Sequence, residues 1–244
     1  RRCSNGLSER IMTATTLQMV QRRGWNAWLR AKFLLFQRHR HNQVVLETVA
    51  GRPLVVLPDV LNPALFFTGQ WLAEEILRTA QDDNALIPAG ASLLDLGCGT
   101  GVVSVFAAQQ AGRVVAADIN PVAVRCARIN ALLNGVESKV EVREGDLWTP
   151  LANEHFDVVV FNPPYFPGAA RNTFEQALRS EGLSERFAAG LRDHLTGDGC
   201  ALLLLSSVGD EAGWLEPLLR QGFTVEPVAS HSVAGERLTL YRIR

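Results

Sequence analysis

Residues 92–101 read Ser92-Leu93-Leu94-Asp95-Leu96-Gly97-Cys98-Gly99-Thr100-Gly101. A short apolar run of strand length ends in glycines on alternate residues, and Val102 opens a stretch of helical length. Glycine suits such a turn because the backbone must bend sharply and a ligand must approach with no Cβ in the way. A dinucleotide fingerprint of the form GxGxxG would need glycine at 102, so Val102 argues against a nicotinamide-dependent oxidoreductase. An acid, Asp95, stands two residues before the first glycine.

Outward from this loop the chain alternates. The pattern predicts strand 92–96 and helix 102–111, then strand 114–118 and helix 121–133, then strands 140–143 and 157–161. Helices are expected within 173–195, then strand 201–206, helix 210–221, and strands 223–228 and 237–243. Asn120-Pro121 marks a helix start, because Asn caps free N–H groups and Pro suits the first helical turn. Gly135 marks the stop, and Thr173 with Gln176 resembles a capping box. Upstream, 44–57 reads as a β-hairpin broken at Gly51-Arg52-Pro53, Pro58 and Pro63 bracket a loop, and a helix covers about 70–80. Strands alternating with helices imply an α/β fold: a doubly wound, mostly parallel, seven-stranded Rossmann-like sheet with an antiparallel last strand. An N-terminal helix and the hairpin are added to it.

The strand ends carry the chemistry, since ligands bind beyond the carboxyl ends of strands in open α/β sheets. Asp118 closes the second strand, where an acid can accept hydrogen bonds from both hydroxyls of a ribose. Asp146 and Leu147 follow the third, where a carboxylate and an apolar neighbour can hold an adenine. The fourth strand runs straight into Asn162-Pro163-Pro164-Tyr165. A proline pair ends a strand, but this does not account for the Asn before it or the aromatic after it. A delocalised nitrogen lone pair, in an amide or a ring amine, accounts for both. The Asn162 side-chain oxygen and the Pro163 carbonyl, held by the locked φ of proline, can accept its two N–H bonds. Tyr165 can stack on the flat group. Catalysis is then positioning plus electrostatics, with no Cys nucleophile and no metal.

The ordered set of Asp95, the glycine loop, Asp118, Asp146 and Asn-Pro-Pro-Tyr resembles the class I S-adenosylmethionine-dependent methyltransferases over roughly residues 60–244. The resemblance implies S-adenosyl-L-methionine as cofactor. It places Asp95 and Gly97 by the methionine part, Asp118 on the ribose, and Asp146 with Leu147 at the adenine, with Gly99, Gly101 and Ile119 as further cofactor-binding residues. Asn162 serves both the cofactor site and catalysis. The tetrapeptide is similar to that of amino-methyltransferases of DNA adenine, of RNA bases and of release-factor glutamine. Gly101-Val102-Val103-Ser104, Asp118-Ile119-Asn120-Pro121 and the tail Gly235-Glu236-Arg237-Leu238-Thr239-Leu240 are similar to the short release-factor glutamine enzymes. Those enzymes carry a Pro-x-Glu-Asp-Thr segment; Pro63-Ala64-Leu65-Phe66-Phe67-Thr68 keeps only its ends, and Thr68 is carried over as a cofactor residue. The implied function is N-methylation of a protein glutamine, with an RNA adenine or guanine base as the alternative acceptor. A non-catalytic cofactor-binding subunit is the remaining reading, and the intact tetrapeptide argues against it.

Charge and composition bound the partners. The 244 residues are 47% hydrophobic and 20% charged, with formal net charge −1, as expected of a globular chain. Residues 1–40 hold nine basic residues against Glu9 alone, a net +8 that leaves the remainder near −9. Such an arm suits contact with nucleic acid or an acidic surface, and equally a solvated amphipathic helix over 11–38 that packs Trp25, Trp28, Phe33 and Phe36 on its own domain. An Arg-rich, acid-poor start also fits a transit peptide. The division expected is a basic extension over 1–43 and a catalytic domain over 44–244. Cys3, Cys98, Cys126 and Cys200 have no metal-ligand spacing, which points to a reducing, cytoplasmic setting. No apolar run is long enough to span a membrane, and the expected partner is a macromolecular acceptor, protein or RNA.

Overall fold

The computed structural model describes residues 43–82, 85–164, 166–167, 179–233 and 235–244. The basic arm up to residue 42, the helix expected over 11–38, Tyr165 and the Thr173–Gln176 capping box lie outside the described residues.

The described residues open with the expected hairpin, β1 (Val45–Val49) against β2 (Arg52–Val56). A short helix α1 (Pro63–Phe66) and then α2 (Thr68–Arg78) follow. The alternation comes next: β3 (Ser92–Leu96), α3 (Val102–Ala107), β4 (Arg113–Asp118), α4 (Pro121–Leu133), β5 (Val140–Glu144) and β6 (Phe156–Phe161). The short strands β7 (Phe166–Pro167) and β8 (Arg179–Ser180) pair with each other. The chain closes through α5 (Leu183–Leu191), β9 (Leu195–Ser206), α6 (Glu211–Arg220), β10 (Val225–Val233) and β11 (Glu236–Ile243).

Seven strands form one sheet in the order β10-β11-β9-β6-β3-β4-β5. Strand β11 runs antiparallel to both β9 and β10, and all other pairings are parallel. Strand alternation sorts the core into two layers. Leu93, Val114, Ala116, Val158, Val160 and Leu202 face one way, with α2, α3 and α4. Leu94, Val115, Val159, Phe161, Ala201 and Leu203 face the other, with α5 and α6. The central strands are covered on both faces, which is why they read as continuous apolar runs.

Several boundaries differ from the sequence reading. Pro63, expected to close a loop, instead starts α1, a helix the sequence reading left unassigned, because Asn62 accepts a hydrogen bond from Ala64 N at 2.9 Å and Pro63 occupies the first helical turn. Helix α3 stops at Ala107, earlier than expected, where the chain turns back to bond Gly112 N to Ala91 O at 3.0 Å. Strand β9 starts at Leu195, six residues before its expected start, because polar Thr196 and Asp198 extend a strand whose apolar half begins at Cys200. At Asn120 the expected cap is present: its side chain accepts from Val122 N at 2.9 Å.

Candidate active site

Strands β3, β4, β5 and β6 deliver their carboxyl ends to one edge of the sheet, and a cavity of about 180 Å³ lies there. Gly97, Gly99, Asp118, Ile119, Asp146, Leu147, Asn162 and Thr68, all read from sequence as site residues, line it. Gly101 and Asp95 do not line it. Asp95 stands behind the loop, and Gly101 ends the loop against α4.

The glycine loop is held by its own geometry. Gly97, Gly99 and Gly101 have φ of +65°, +54° and +75°, a region that side chains disfavour. A Cβ on Gly101 would lie 3.0 Å from the Ala127 Cβ of α4, so the loop rests directly on that helix. A Cβ on Gly99 would meet nothing within 4 Å. That is the open space a ligand needs. Asp95 braces the far side: its Oδ2 accepts from Ser104 N at 3.0 Å and Ser104 Oγ at 2.5 Å, tying β3 to the first turn of α3. Full burial pushes the Asp95 carboxyl up to about 7, against the pull of the Ser104 bonds.

Asp118 faces the cavity from the end of β4. One oxygen accepts from Gly99 N at 2.8 Å and the other from Asn120 N at 2.9 Å. Burial raises its pKa while these backbone bonds lower it, with burial the larger cause. Two fixed oxygens with lone pairs to spare suit a ribose diol. Asp146 carries an ion pair to Arg186 of α5 at 2.6 Å, with both side chains about half exposed. Such a pair is worth under about 1 kcal/mol, so an adenine amino group can share or displace it at small cost. Leu147 is buried yet holds φ +47°, a strained conformation of the kind that clusters at ligand clamps. Together the open glycine cradle, the Asp118 oxygens and the Leu147 wall fit an adenosyl group.

The tetrapeptide enters from the end of β6. Asn162 Nδ2 donates to Thr68 Oγ1 at 3.2 Å. Asn162 Oδ1 is buried and has no hydrogen-bond partner among the described residues. Pro163 is buried, Pro164 lines the cavity, and Tyr165 lies outside the described residues. Sequence reasoning passed over Asp59, Val60 and Leu61 and took Pro63 and Phe66 only as part of a degenerate motif; all five bring the segment after the hairpin to the cavity wall. A signal for them existed: Asn62-Pro63 is the same helix start as Asn120-Pro121. Among the described residues no helix is long and apolar enough to cross a membrane.

The methyltransferase small domain family matches residues 74–208. A Methanocaldococcus jannaschii protein named as a protein N5-glutamine methyltransferase is 32% identical over 181 residues, covering 68% of this chain and 90% of the relative. The release factor glutamine methyltransferase of Geobacter sulfurreducens is 35% identical over 141 residues, covering 56% of this chain and 46% of the relative. In fold the chain is similar to the T. thermophilus 16S rRNA N2 G1207 methyltransferase in complex with AdoMet and guanosine. The TM-score is 0.58 at 20% identity, over 81% of this chain and 49% of that one.

Proposed function

The chain belongs to the methyltransferase small domain family and is an S-adenosylmethionine-dependent methyltransferase, and we propose from that premise that its acceptor is the side-chain amide nitrogen of a protein glutamine, of the release-factor kind. The observation that carries the proposal is the Asn162 Oδ1 atom, buried and partnerless among the described residues. A buried acceptor left unpaired costs about 1–3 kcal/mol, and an active site keeps such an atom where an incoming donor will fill it. An amide –NH2 is that donor.

In this reading Asn162 Oδ1 accepts one N–H of the glutamine amide and the Pro163 carbonyl accepts the other, which turns the nitrogen lone pair out of conjugation. Thr68, bonded to Asn162 Nδ2 at 3.2 Å, keeps the oxygen aimed. When bound, the cofactor would supply an electrophilic sulfonium methyl to the amide nitrogen that Asn162 and Pro163 hold, with one amide proton released to solvent. Asp118 would hold the ribose, Asp146 and Leu147 the adenine, and the glycine loop braced by Asp95 would admit the methionine part.

The second reading is an RNA base nitrogen, which is also planar, and the +8 charge of residues 1–40 favours it. Against it, the rest of the chain is near −9 and repels phosphate. Labelled cofactor incubated side by side with purified release factor, transfer RNA and ribosomal RNA separates the two. Label in release factor that digestion traces to a glutamine is expected. Label confined to RNA overturns the proposal.

A further inference from the structure

Helix α4 and its C-cap place two asparagines one turn apart, Asn130 in the helix and Asn134 at the cap, and both bond the hairpin. Asn130 is fully buried. Its Oδ1 accepts from Val55 N at 2.7 Å and its Nδ2 donates to Val55 O at 2.7 Å. A side-chain amide thereby satisfies the outer edge of β2 as another strand's peptide group would, which removes an open sheet edge. Four residues on, Asn134 Nδ2 donates to Pro53 O at 2.9 Å, two residues back along the same strand edge. The helical step of four matches the strand step of two.

Asn134 is only half-buried and bonds a single group of the strand; Asn130 reaches further. Its Nδ2 also donates to Thr100 O, at 2.8 Å, inside the glycine loop. One buried amide therefore joins three elements: the hairpin edge, helix α4 and the loop that cradles the cofactor. Thr100 itself is buried and sits between Gly99 and Gly101, both in strained-for-others conformations. Downstream of β2, the segment at Asp59 is pinned to the same region, because Asp59 O accepts from Asn120 Nδ2 at 3.0 Å.

We propose that Asn130 is a positioning residue for the cofactor, locking the glycine loop to the hairpin edge so that affinity for S-adenosylmethionine depends on an amide that does not line the cavity. The proposal rests on the cofactor reading of the loop and is independent of the acceptor. Removing the Asn130 amide leaves the Thr100 carbonyl buried and unpaired, so the loop relaxes out of its binding conformation. Removing the Asn134 amide loosens the hairpin and leaves the loop alone.

The test is calorimetric titration of S-adenosylmethionine into the full chain carrying Asn130→Ala or Asn134→Ala, with thermal melts and steady-state kinetics alongside. The expected result is a Kd and cofactor KM raised at least tenfold in Asn130→Ala, kcat at saturating cofactor within about threefold, and Asn134→Ala within twofold of wild type in Kd. Equal rises in both variants, or a lowered Tm in Asn130→Ala with unchanged Kd, would overturn the proposal. If Asn130→Ala does not fold, hydrogen exchange on the wild-type protein decides. Saturating cofactor should slow exchange at the Val55 amide more than across the β10–β11 pair. Equal slowing at both overturns the coupling. A failure of the glutamine assignment would appear as absent transfer to release factor and would leave these binding results untouched.

Discussion

At the residue scale, Asn162 and Asp95 do different work at the carboxyl ends of neighbouring strands. Asn162 holds an unfilled acceptor at the cavity wall, so its loss should fall on the chemical step. Asn162→Ala is expected to lower kcat by roughly two to three orders of magnitude, the size seen when one preorganised polar contact is removed. Calorimetry should show cofactor affinity within a few-fold. Wild-type transfer rates in that variant would remove the proposed role. Asp95 is a buried carboxyl with its pKa pushed up to about 7. The folded state therefore holds this proton more tightly than the unfolded chain, whose value is about 3.9. Its contribution to stability is complete below the unfolded value and is lost as pH rises through about 7. Asp95→Asn keeps the shape and the Ser104 contacts without the titration. Urea melts should therefore show the variant gaining on wild type by a few kcal/mol between roughly pH 4 and pH 8. Parallel stability curves would refute the assignment. Asp95 was legible as an important acid from its place before Gly97. Its position behind the loop was not, because a strand residue's face is decided by the sheet register around it.

At the element scale, the loop between β3 and α3 depends on three glycines for two separate reasons. Gly101 is pressed on α4 and Gly99 opens to the cavity. Gly101→Ala should cost stability, about 2–4 kcal/mol from a positive φ plus an overpacked contact with Ala127. Gly99→Ala carries only the φ cost, about 1–2 kcal/mol, and should act mainly by placing a methyl group where the ligand goes. Comparing Tm with cofactor Kd for both variants checks this: the larger Tm loss belongs to Gly101→Ala and the larger Kd loss to Gly99→Ala. The reverse ranking would show that the loop faces the other way. The loop's existence was plain in the sequence, because alternate glycines after an apolar run leave few conformations. Which glycine touches helix and which touches ligand depended on where α4 lies. The same limit applies to α1: Asn62-Pro63 announces a helix start, but four residues are too few to show a periodic pattern.

At the scale of the whole molecule, the sheet order puts the ends of β3, β4, β5 and β6 side by side, so residues from Thr68 to Asn162 meet at one cavity. The charge asymmetry between residues 1–40 and the rest separates the two acceptor classes. Under the glutamine assignment, deletion of residues 1–40 should leave transfer to release factor within about twofold. The rate should also fall only shallowly with salt, since a phosphate-binding arm would give a steep log–log slope. A large loss confined to RNA transfer would favour the base-methylating reading instead. From sequence alone came the doubly wound sheet, its antiparallel last strand, the glycine loop and the acids at the strand ends. These are local properties: apolar period, turn chemistry and the residue that ends a strand are all written within a few positions of one another. Only the tertiary structure decided that Thr68 holds Asn162 across 94 residues, and that Asn130 holds Val55 across 75 and Thr100 across 30. A side-chain amide has the same local signature on an exposed helix face as between three elements, and only the packing of distant segments removes the water that would otherwise satisfy it.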